Sequence, residues 1–129
     1  MPDLMYLELK SGYNDNGPAW IGYVNASKSG RTLYWNDHAF QKYNGIGANY
    51  VDIETGDEYW ISGVKKRGTN RHWAGHGTIQ MDRRAVADYL ALTGQAQLPG
   101  STFTLVDIAD NFPVQRVQAM LNEKREAND

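Results

Sequence analysis

Residues 50–66 have the sequence YVDIETGDEYWISGVKK, in which two β-rich segments flank the turn Glu54-Thr55-Gly56-Asp57. Glycine supplies the positive φ of a tight turn, and Asp and Thr side chains hydrogen-bond the nearby backbone there. Tyr, Trp, Ile and Val are enriched in strands because they pack well on a pleated surface. The stretch therefore predicts a hairpin, with strands over 50–53 and 58–66.

The second strand of this hairpin carries an aromatic ring on each face. Side chains alternate along a strand, so Tyr59 and Trp60 point to opposite sides of the sheet. One side is expected to be the interior of a small barrel. The other is a second packing layer beneath a helix, which is the interpretation we favour, or an exposed patch that contacts a partner.

Turns and β-rich segments recur on both sides of the hairpin at the spacing of a meander or a small barrel. Lys28-Ser29-Gly30-Arg31 is a hairpin signal, because Ser-Gly between two β-rich runs supplies the positive φ of a tight connection. Residues 37–43 either continue the strand before them or form an irregular segment. The other predicted strands cover 4–10, 19–27, 32–36, 72–81 and 103–108.

The pattern becomes helical at residue 82. Asp82 is a suitable N-cap, residues 83–93 have helical spacing of apolar positions, and Gly94 lies where a C′ glycine ends a helix. Pro113 can occupy the first turn of a terminal helix. Its apolar face would consist of Val114, Val117, Met120 and Leu121.

These elements predict a single α+β domain over residues 1–129. We expect a curved, mostly antiparallel sheet or a small SH3-like partly open β-barrel of six to seven strands, with two C-terminal helices. Residues 1–94 form the β-rich part with the first helix, and residues 95–129 form a linker, a strand and the terminal helix. A length of 129 residues suits one domain with its own core.

Composition excludes several classes of protein. The chain has no cysteine, which rules out disulfides, thiolate metal sites and a cysteine nucleophile. It begins without a basic segment and contains no apolar run long enough for a membrane span. We therefore expect a cytoplasmic protein that does not bind membranes, and no residue pattern indicates a cofactor.

Positive charge is concentrated in the β-rich centre. Residues 28–84 carry nine Lys and Arg against six Asp and Glu, a net +3, whereas residues 1–27 carry −2 and residues 85–129 carry −3. Aromatic residues beside cations are typical of binding surfaces, including those for single-stranded nucleic acid. The predicted binding residues are Lys65, Lys66, Arg67, Arg71, His72, Trp73, Tyr59 and Trp60, with Tyr34 and Trp35 as further strand aromatics.

The leading interpretation is a non-catalytic binding module that uses this aromatic and basic hairpin face. A protein or peptide partner is favoured over single-stranded nucleic acid, because the net charge of −2 opposes the phosphate neutralisation on which nucleic-acid affinity depends. The loop from Tyr13 to Trp20 offers Tyr, Trp and Asn side chains to a sugar or peptide. A third class is a structural subunit, in which the terminal helix or a strand edge makes a homodimer.

An enzymatic alternative centres on His72 and His76. An imidazole titrates near neutrality, and a neighbouring carboxylate fixes its tautomer, so either histidine could act as a base in a small hydrolase. The candidate carboxylates are Glu54, Asp57 and Glu58. A metal site is disfavoured, since in a strand the two histidines lie about 13 Å apart and would need His38 or Asp82 as further ligands.

Four segments together resemble a group of short bacterial proteins of unassigned function. The segments are 9–22 (LKSGYNDNGPAWIG), 27–32 (SKSGRT), 52–66 (DIETGDEYWISGVKK) and 71–75 (RHWAG), so the resemblance covers roughly the first 90 residues. Some members of the group are called 1-deoxy-D-xylulose-5-phosphate synthase, an activity that needs thiamine diphosphate bound by a Gly-Asp-Gly motif. Here Gly56-Asp57 leads into Glu58, so that activity is not expected.

Overall fold

The computed structural model describes residues 3–12, 17–66, 77–108 and 119. Within them the chain forms eight strands and one α-helix, the helix being preceded by a 3-10 turn over Arg83–Ala85. In chain order the elements are β1 (Asp3–Leu9), β2 (Ala19–Ala26), β3 (Thr32–Trp35), β4 (His38–Lys42), β5 (Tyr50–Asp52), β6 (Glu58–Gly63), β7 (Ile79–Asp82), α1 (Val86–Thr93) and β8 (Phe103–Val106).

The first six strands form a closed antiparallel barrel. Their order around the barrel is β1-β6-β5-β4-β3-β2, and β1 closes the circle by pairing with β2 as well as with β6. Strands β7 and β8 extend the sheet in parallel orientation, with β7 beside β2 and β8 beside β7. The predicted fold, a small and mostly antiparallel barrel, is therefore confirmed.

The barrel branches at β2. Strand β1 pairs with residues 19–24 of β2 along one edge. The opposite edge is shared, because β7 pairs with Trp20 and Ile21 while β3 pairs with Asn25 and Ala26. The sheet divides between these two points, so the two extra strands leave the barrel without opening its other seams.

Two large apolar layers stabilise the fold, beside a small cluster of Tyr34, Ala39 and Ile53. The barrel interior contains Leu7, Val24, Leu33, Trp35, Phe40, Tyr59 and Ile61. A second layer lies between the outer face of β1 and β2 and the segment from β7 to β8, and contains Tyr6, Ala19, Ile21, Ile79, Met81, Ala85, Tyr89 and Phe103. The helix α1 covers this layer together with β7 and β8. The favoured prediction placed such a layer on the second face of β6, but there Trp60 is 39% exposed, and the covered strands are β1 and β2.

The predicted first helix is confirmed together with both of its end signals. Asp82 accepts a hydrogen bond from the Arg84 backbone N–H at 3.0 Å, so its carboxylate caps the 3-10 turn that starts the helix. Gly94 adopts a φ of 74° and donates its N–H to the Leu90 carbonyl, which ends α1. None of the helices in the described ranges has the length and apolarity needed to cross a membrane.

The main difference from the sequence prediction is β4. Residues 37–43 were expected to continue β3 or to be irregular, whereas His38–Lys42 form a strand that pairs antiparallel with β3. The turn between them has two residues, Asn36 and Asp37, both with positive φ (48° and 65°), as the tight type I′ hairpin requires. Asn and Asp tolerate this conformation better than other side chains do, because their short polar groups bond locally.

Other predicted elements differ at their ends or lie outside the described residues. Strand β6 ends at Gly63 although the prediction ran to residue 66, and β7 begins at Ile79 although the prediction began at residue 72. Residues 77 and 78 precede that strand, and residues 72–76 are not described. The predicted terminal helix from Pro113 likewise lies outside the described part of the chain, apart from Ala119.

Candidate binding surface at one end of the barrel

The connections between the barrel strands gather at two opposite ends. Consecutive strands run antiparallel, so alternate connections lie at the same end. The β2–β3 turn, the β4–β5 loop and the chain that leaves β6 share one end, which we call the cationic end. The β1–β2, β3–β4 and β5–β6 connections share the other, which we call the acidic end.

Five exposed cations lie at the cationic end, on three separate segments. They are Lys28 and Arg31 in the β2–β3 turn, Lys42 at the end of β4, and Lys65 and Lys66 after β6. Two carboxylates from residues 3–12 and 17–66 also reach this end: Asp3, the first residue of β1, and Glu58, which hydrogen-bonds Tyr43 after β4. The fold therefore joins cations that lie up to 38 positions apart in the sequence into one positive surface.

The acidic end carries the opposite charge. Asp37 lies in the β3–β4 turn, and Glu54 and Asp57 lie in the β5–β6 turn. Glu58 begins β6 at this end, but its carboxylate hydrogen-bonds Tyr43, which follows β4. The predicted turn over residues 54–57 is confirmed, since Gly56 has a φ of 77° and Asp57 donates its backbone N–H to Thr55 Oγ1 at 3.2 Å. The barrel is thus polarised along its axis, although the net charge of the chain is only −2.

The two aromatic residues of β6, Tyr59 and Trp60, have different environments. Tyr59 is 5% exposed and packs edge-on against Phe40 inside the barrel, with ring centroids 4.8 Å apart. Trp60 is 39% exposed on the outer face, where its indole Nε1 donates to Ser62 Oγ at 3.2 Å. Val64, on the same face as Trp60, packs against the second apolar layer. Trp60 is therefore the ring that a partner can reach, and Tyr59 is a core residue.

The remaining predicted site residues divide into two groups. Trp35 and Tyr34 are buried, at 1% and 9% exposure, so they contribute to the core and offer no surface. Five predicted residues lie outside the described part of the chain: Arg67, Arg71, His72, Trp73 and His76. Residues 13–16, which belong to the loop from Tyr13 to Trp20, also lie outside it. Trp20, at the other end of that loop, packs against Trp35 with centroids 5.1 Å apart.

A histidine–aspartate pair that the sequence analysis did not identify lies on the inward faces of β4 and β5, at the acidic end. His38 Nδ1 is 2.9 Å from Asp52 Oδ2. The Asp52 side chain is 1% exposed, and its other oxygen accepts the backbone N–H of Glu54 at 2.9 Å. The imidazole, 39% exposed, lies between the rings of Trp35 and Phe40, with centroids 6.2 and 6.1 Å away.

The two groups shift each other's pKa in opposite directions. The hydrogen bond with Asp52 raises the pKa of His38 above 6.5, although burial opposes the rise. Burial alone would raise the pKa of Asp52, but the hydrogen bonds from His38 and from the Glu54 backbone outweigh it and hold that pKa below 3.8. Burial, assisted by the nearby Asp52 and Asp57 carboxylates, raises the pKa of Tyr59 to about 12. The pair therefore favours an imidazolium beside a carboxylate.

Chemically, this pair is an imidazole held in one orientation by a carboxylate, with no nucleophile hydrogen-bonded to it among the described residues. Asp52 is the side chain that hydrogen-bonds His38 among the described residues, and no serine or threonine hydroxyl there bonds the imidazole. A nucleophile within hydrogen-bond reach is what would make such a pair a hydrolytic site. The geometry indicates a structural role, in which the hydrogen bond between His38 and Asp52 joins β4 to β5.

A second buried carboxylate lies on the outer face of β1. Glu8 is 1% exposed, accepts a hydrogen bond from the Tyr6 hydroxyl at 2.5 Å, and forms an ion pair with Lys10 at 2.9 Å. The three side chains alternate along one strand and so share one face. The strand predicted over residues 4–10 places these side chains on one face, but nothing in the sequence indicated that Glu8 would be buried.

Metal binding was disfavoured from the spacing of the histidines. In the described residues, no three His, Asp or Glu side chains lie close enough together to hold a metal ion. Asp82, one of the ligands considered, is instead buried and paired with Arg84 at 2.9 Å. His38, the other, is bonded to Asp52.

Comparison of the chain with protein-family models, with curated proteins and with solved structures finds no match. The resemblance to short bacterial proteins remains a prediction from the sequence.

Proposed function

We propose that this protein is a non-catalytic binding module that recognises an anionic protein or peptide through the cationic end of its barrel. The observation that carries the proposal is topological. Lys28 and Arg31, Lys42, and Lys65 and Lys66 come from three connections, and the alternation of strand direction brings all three to one end. Charge of one sign gathered on one surface attracts partners of the opposite sign and speeds their association.

The side chains around this surface support a protein partner over nucleic acid. Single-stranded nucleic acid is bound through free aromatic faces on which bases stack. Of the two predicted rings, Tyr59 is inside the core, and the exposed Trp60 lies in the middle of β6, apart from the connections that carry the cations. The net charge of −2 also opposes general attraction to phosphate. An enzymatic role centred on His72 and His76 stays a prediction, since neither residue is described.

The test is a comparison of two variants with equal net charge. The first changes Lys28, Lys42, Lys65 and Lys66 to Gln. The second leaves the cationic end intact and introduces Glu at four exposed positions near α1 and the following loop: Ala91, Gln95, Gln97 and Ser101. Each variant lowers the charge by four, so only the location of the charge differs.

Wild-type chain and both variants are immobilised and exposed to cell extract, with and without nuclease, and the retained proteins are identified by mass spectrometry. We expect the second variant to retain the same proteins as wild type and the first to lose them, with wild-type retention falling as salt is raised. Equal retention by the first variant and wild type would refute the proposal. Retention that disappears after nuclease treatment would indicate nucleic acid instead.

A further inference from the structure

The cationic end also carries a fully exposed aliphatic side chain. Ile46 lies in the β4–β5 loop, within the sequence Asn44-Gly45-Ile46-Gly47, and its relative exposure is 104%. It is the most exposed large apolar residue that the structure describes. A single exposed apolar residue is common on protein surfaces and by itself indicates nothing. What distinguishes Ile46 is the way its loop is held.

The loop is braced by its own backbone and by one ring. Tyr43 donates its N–H to the Asn49 carbonyl at 3.0 Å, and Gly45 donates to the Ala48 carbonyl at 3.2 Å. The ring of Tyr43 lies directly over Gly45, since a Cβ at Gly45 would overlap Tyr43 Cε1. Gly47 has a φ of 75°, a conformation that glycine adopts without strain. The tip is therefore a defined structure.

The base of the loop is fixed to the barrel. Asn49 uses both side-chain atoms on the backbone of Ile61 in β6: Nδ2 donates to the carbonyl at 2.7 Å, and Oδ1 accepts the N–H at 2.8 Å. Ala48 is 4% exposed, beneath the tip. These contacts fix the backbone on both sides of Ile46, so the isoleucine side chain projects from an ordered loop that follows Lys42.

From this arrangement we infer that Ile46 is the apolar anchor of the binding surface, and that the partner is an acidic protein segment whose own apolar side chains enclose it. The inference rests on the proposed function and names the chemistry of its partner. A preordered loop loses little conformational entropy on binding, which is the usual property of an anchor. Buried apolar anchors surrounded by charged rims are the common anatomy of protein interfaces. Here the rim is formed by Lys28, Arg31, Lys42, Lys65 and Lys66.

The same observations disfavour the other anionic surfaces. An isoleucine has no π-face on which a base can stack, and one face of the Tyr43 ring, which is 40% exposed, is covered by Gly45. A lipid surface would gain only one aliphatic side chain from this loop, whereas stable membrane attachment needs a larger apolar contribution or a second signal. An acidic peptide satisfies both the charge and the single apolar anchor.

The experiment selects peptides from a random display library on the full-length wild-type chain. Enriched sequences are synthesised, and their affinities are measured by fluorescence anisotropy for wild type and for the variants Ile46→Ser and Ile46→Leu. The four-lysine variant defined above is the charge control. A single-stranded oligonucleotide and vesicles of phosphatidylcholine with phosphatidylserine are measured in parallel, because they test the two alternative partners.

We expect enriched peptides that combine Asp or Glu with a large apolar residue. Ile46→Ser should weaken their binding about tenfold or more, and Ile46→Leu less than about threefold, because a leucine restores the apolar volume. If Ile46→Ser binds the peptides as wild type does while the four-lysine variant has lost binding, Ile46 is not the anchor. The proposed function of the cationic end would still be supported. If the four-lysine variant also binds as wild type, the proposed function fails as well. The inference would be overturned if the library yielded no acidic peptides whose binding depends on Ile46. It would also be overturned if Ile46 contributed only to binding of the oligonucleotide or of the vesicles.

Discussion

His38 Nδ1 lies 2.9 Å from Asp52 Oδ2, and the hydrogen bond joins two neighbouring strands of the barrel on their inward faces. Asp52 is held in turn by the backbone N–H groups of Glu54 and Thr55, at 2.9 and 3.4 Å. One buried carboxylate thus fixes both the start of β4 and the turn that follows β5. Its interactions should be visible in the stability of the fold.

The first prediction concerns the pH dependence of this contribution. Because the folded pKa of His38 is raised above 6.5, its stabilisation is fully present below 6.5 and is lost as the pH rises through the folded value. Because the folded pKa of Asp52 is lowered below 3.8, its stabilisation is present above 3.8 and is lost as the pH falls through the folded value. The ion pair therefore stabilises most between these two ordinary pKa values.

The variant that tests this is His38→Asn, since an amide can still donate to Asp52 but does not titrate. Urea unfolding should show that wild type exceeds the variant by about 1 kcal/mol near pH 5, a modest value because the imidazole is partly exposed. The difference should shrink as the pH rises through the folded pKa of His38, because the imidazole then loses its proton. A difference that stays constant across this range would contradict the prediction.

Only one half of the histidine–aspartate pair lies in an element that was predictable from the sequence. The Asp-containing turn and the strands on either side of it were predictable from Gly56 and the β-rich residues around it. The strand that begins at His38 was not, because Asn36-Asp37 is a weaker hairpin signal than Asn-Gly. Without that strand, nothing in the sequence sets the register that places His38 beside Asp52.

The missing strand also determines which end of the barrel carries the cations. If residues 37–43 had continued β3, every later strand would have reversed direction. Lys65 and Lys66 would then leave the barrel at the end opposite Lys28 and Arg31. The clusters of basic residues were visible in the sequence, but their meeting at one end depends on the number of strands between them. Long-range features of this kind are set by strand count and register, which local patterns do not determine.

The second prediction concerns Gly22, at the point where the sheet divides. A Cβ added there would lie 3.2 Å from Trp35 Nε1, 3.4 Å from Ile108 Cδ1 and 3.5 Å from Asp82 Cβ. Gly22→Ala should therefore lower the free energy of unfolding by about 1–3 kcal/mol, the usual cost of overpacking. The control is Gly63→Ala in β6, where a Cβ meets nothing within 4 Å. Thermal or urea unfolding should show a change within about 0.5 kcal/mol for the control, and equal effects would refute the packing argument.

The third prediction concerns the buried carboxylate of Glu8. Tyr6→Phe removes a hydrogen bond to a group that is 1% exposed, and hydrogen bonds to charged groups contribute about 1.5–3 kcal/mol. We expect a loss of that size in urea unfolding. Tyr34→Phe is the matched control, because the Tyr34 ring is similarly buried but its hydroxyl makes no hydrogen bond among the described residues. The coupling between Tyr6→Phe and Glu8→Gln should be about 1 kcal/mol or more in a double-mutant cycle. Additive effects would show that the two side chains act independently.

The last prediction concerns the hydrogen bonds that attach the β4–β5 loop to the barrel. Asn49→Ala removes both hydrogen bonds to the Ile61 backbone, so we expect a loss of about 2 kcal/mol in the free energy of unfolding. Hydrogen exchange should become faster at the amides of Tyr43 and Gly45, whose bonds close the loop. Asn44→Ala, in the same loop but exposed, should leave both measurements unchanged. If Asn49→Ala destabilised the fold without faster exchange in the loop, Asn49 would support β6 alone, and the rigid presentation of Ile46 would have another cause.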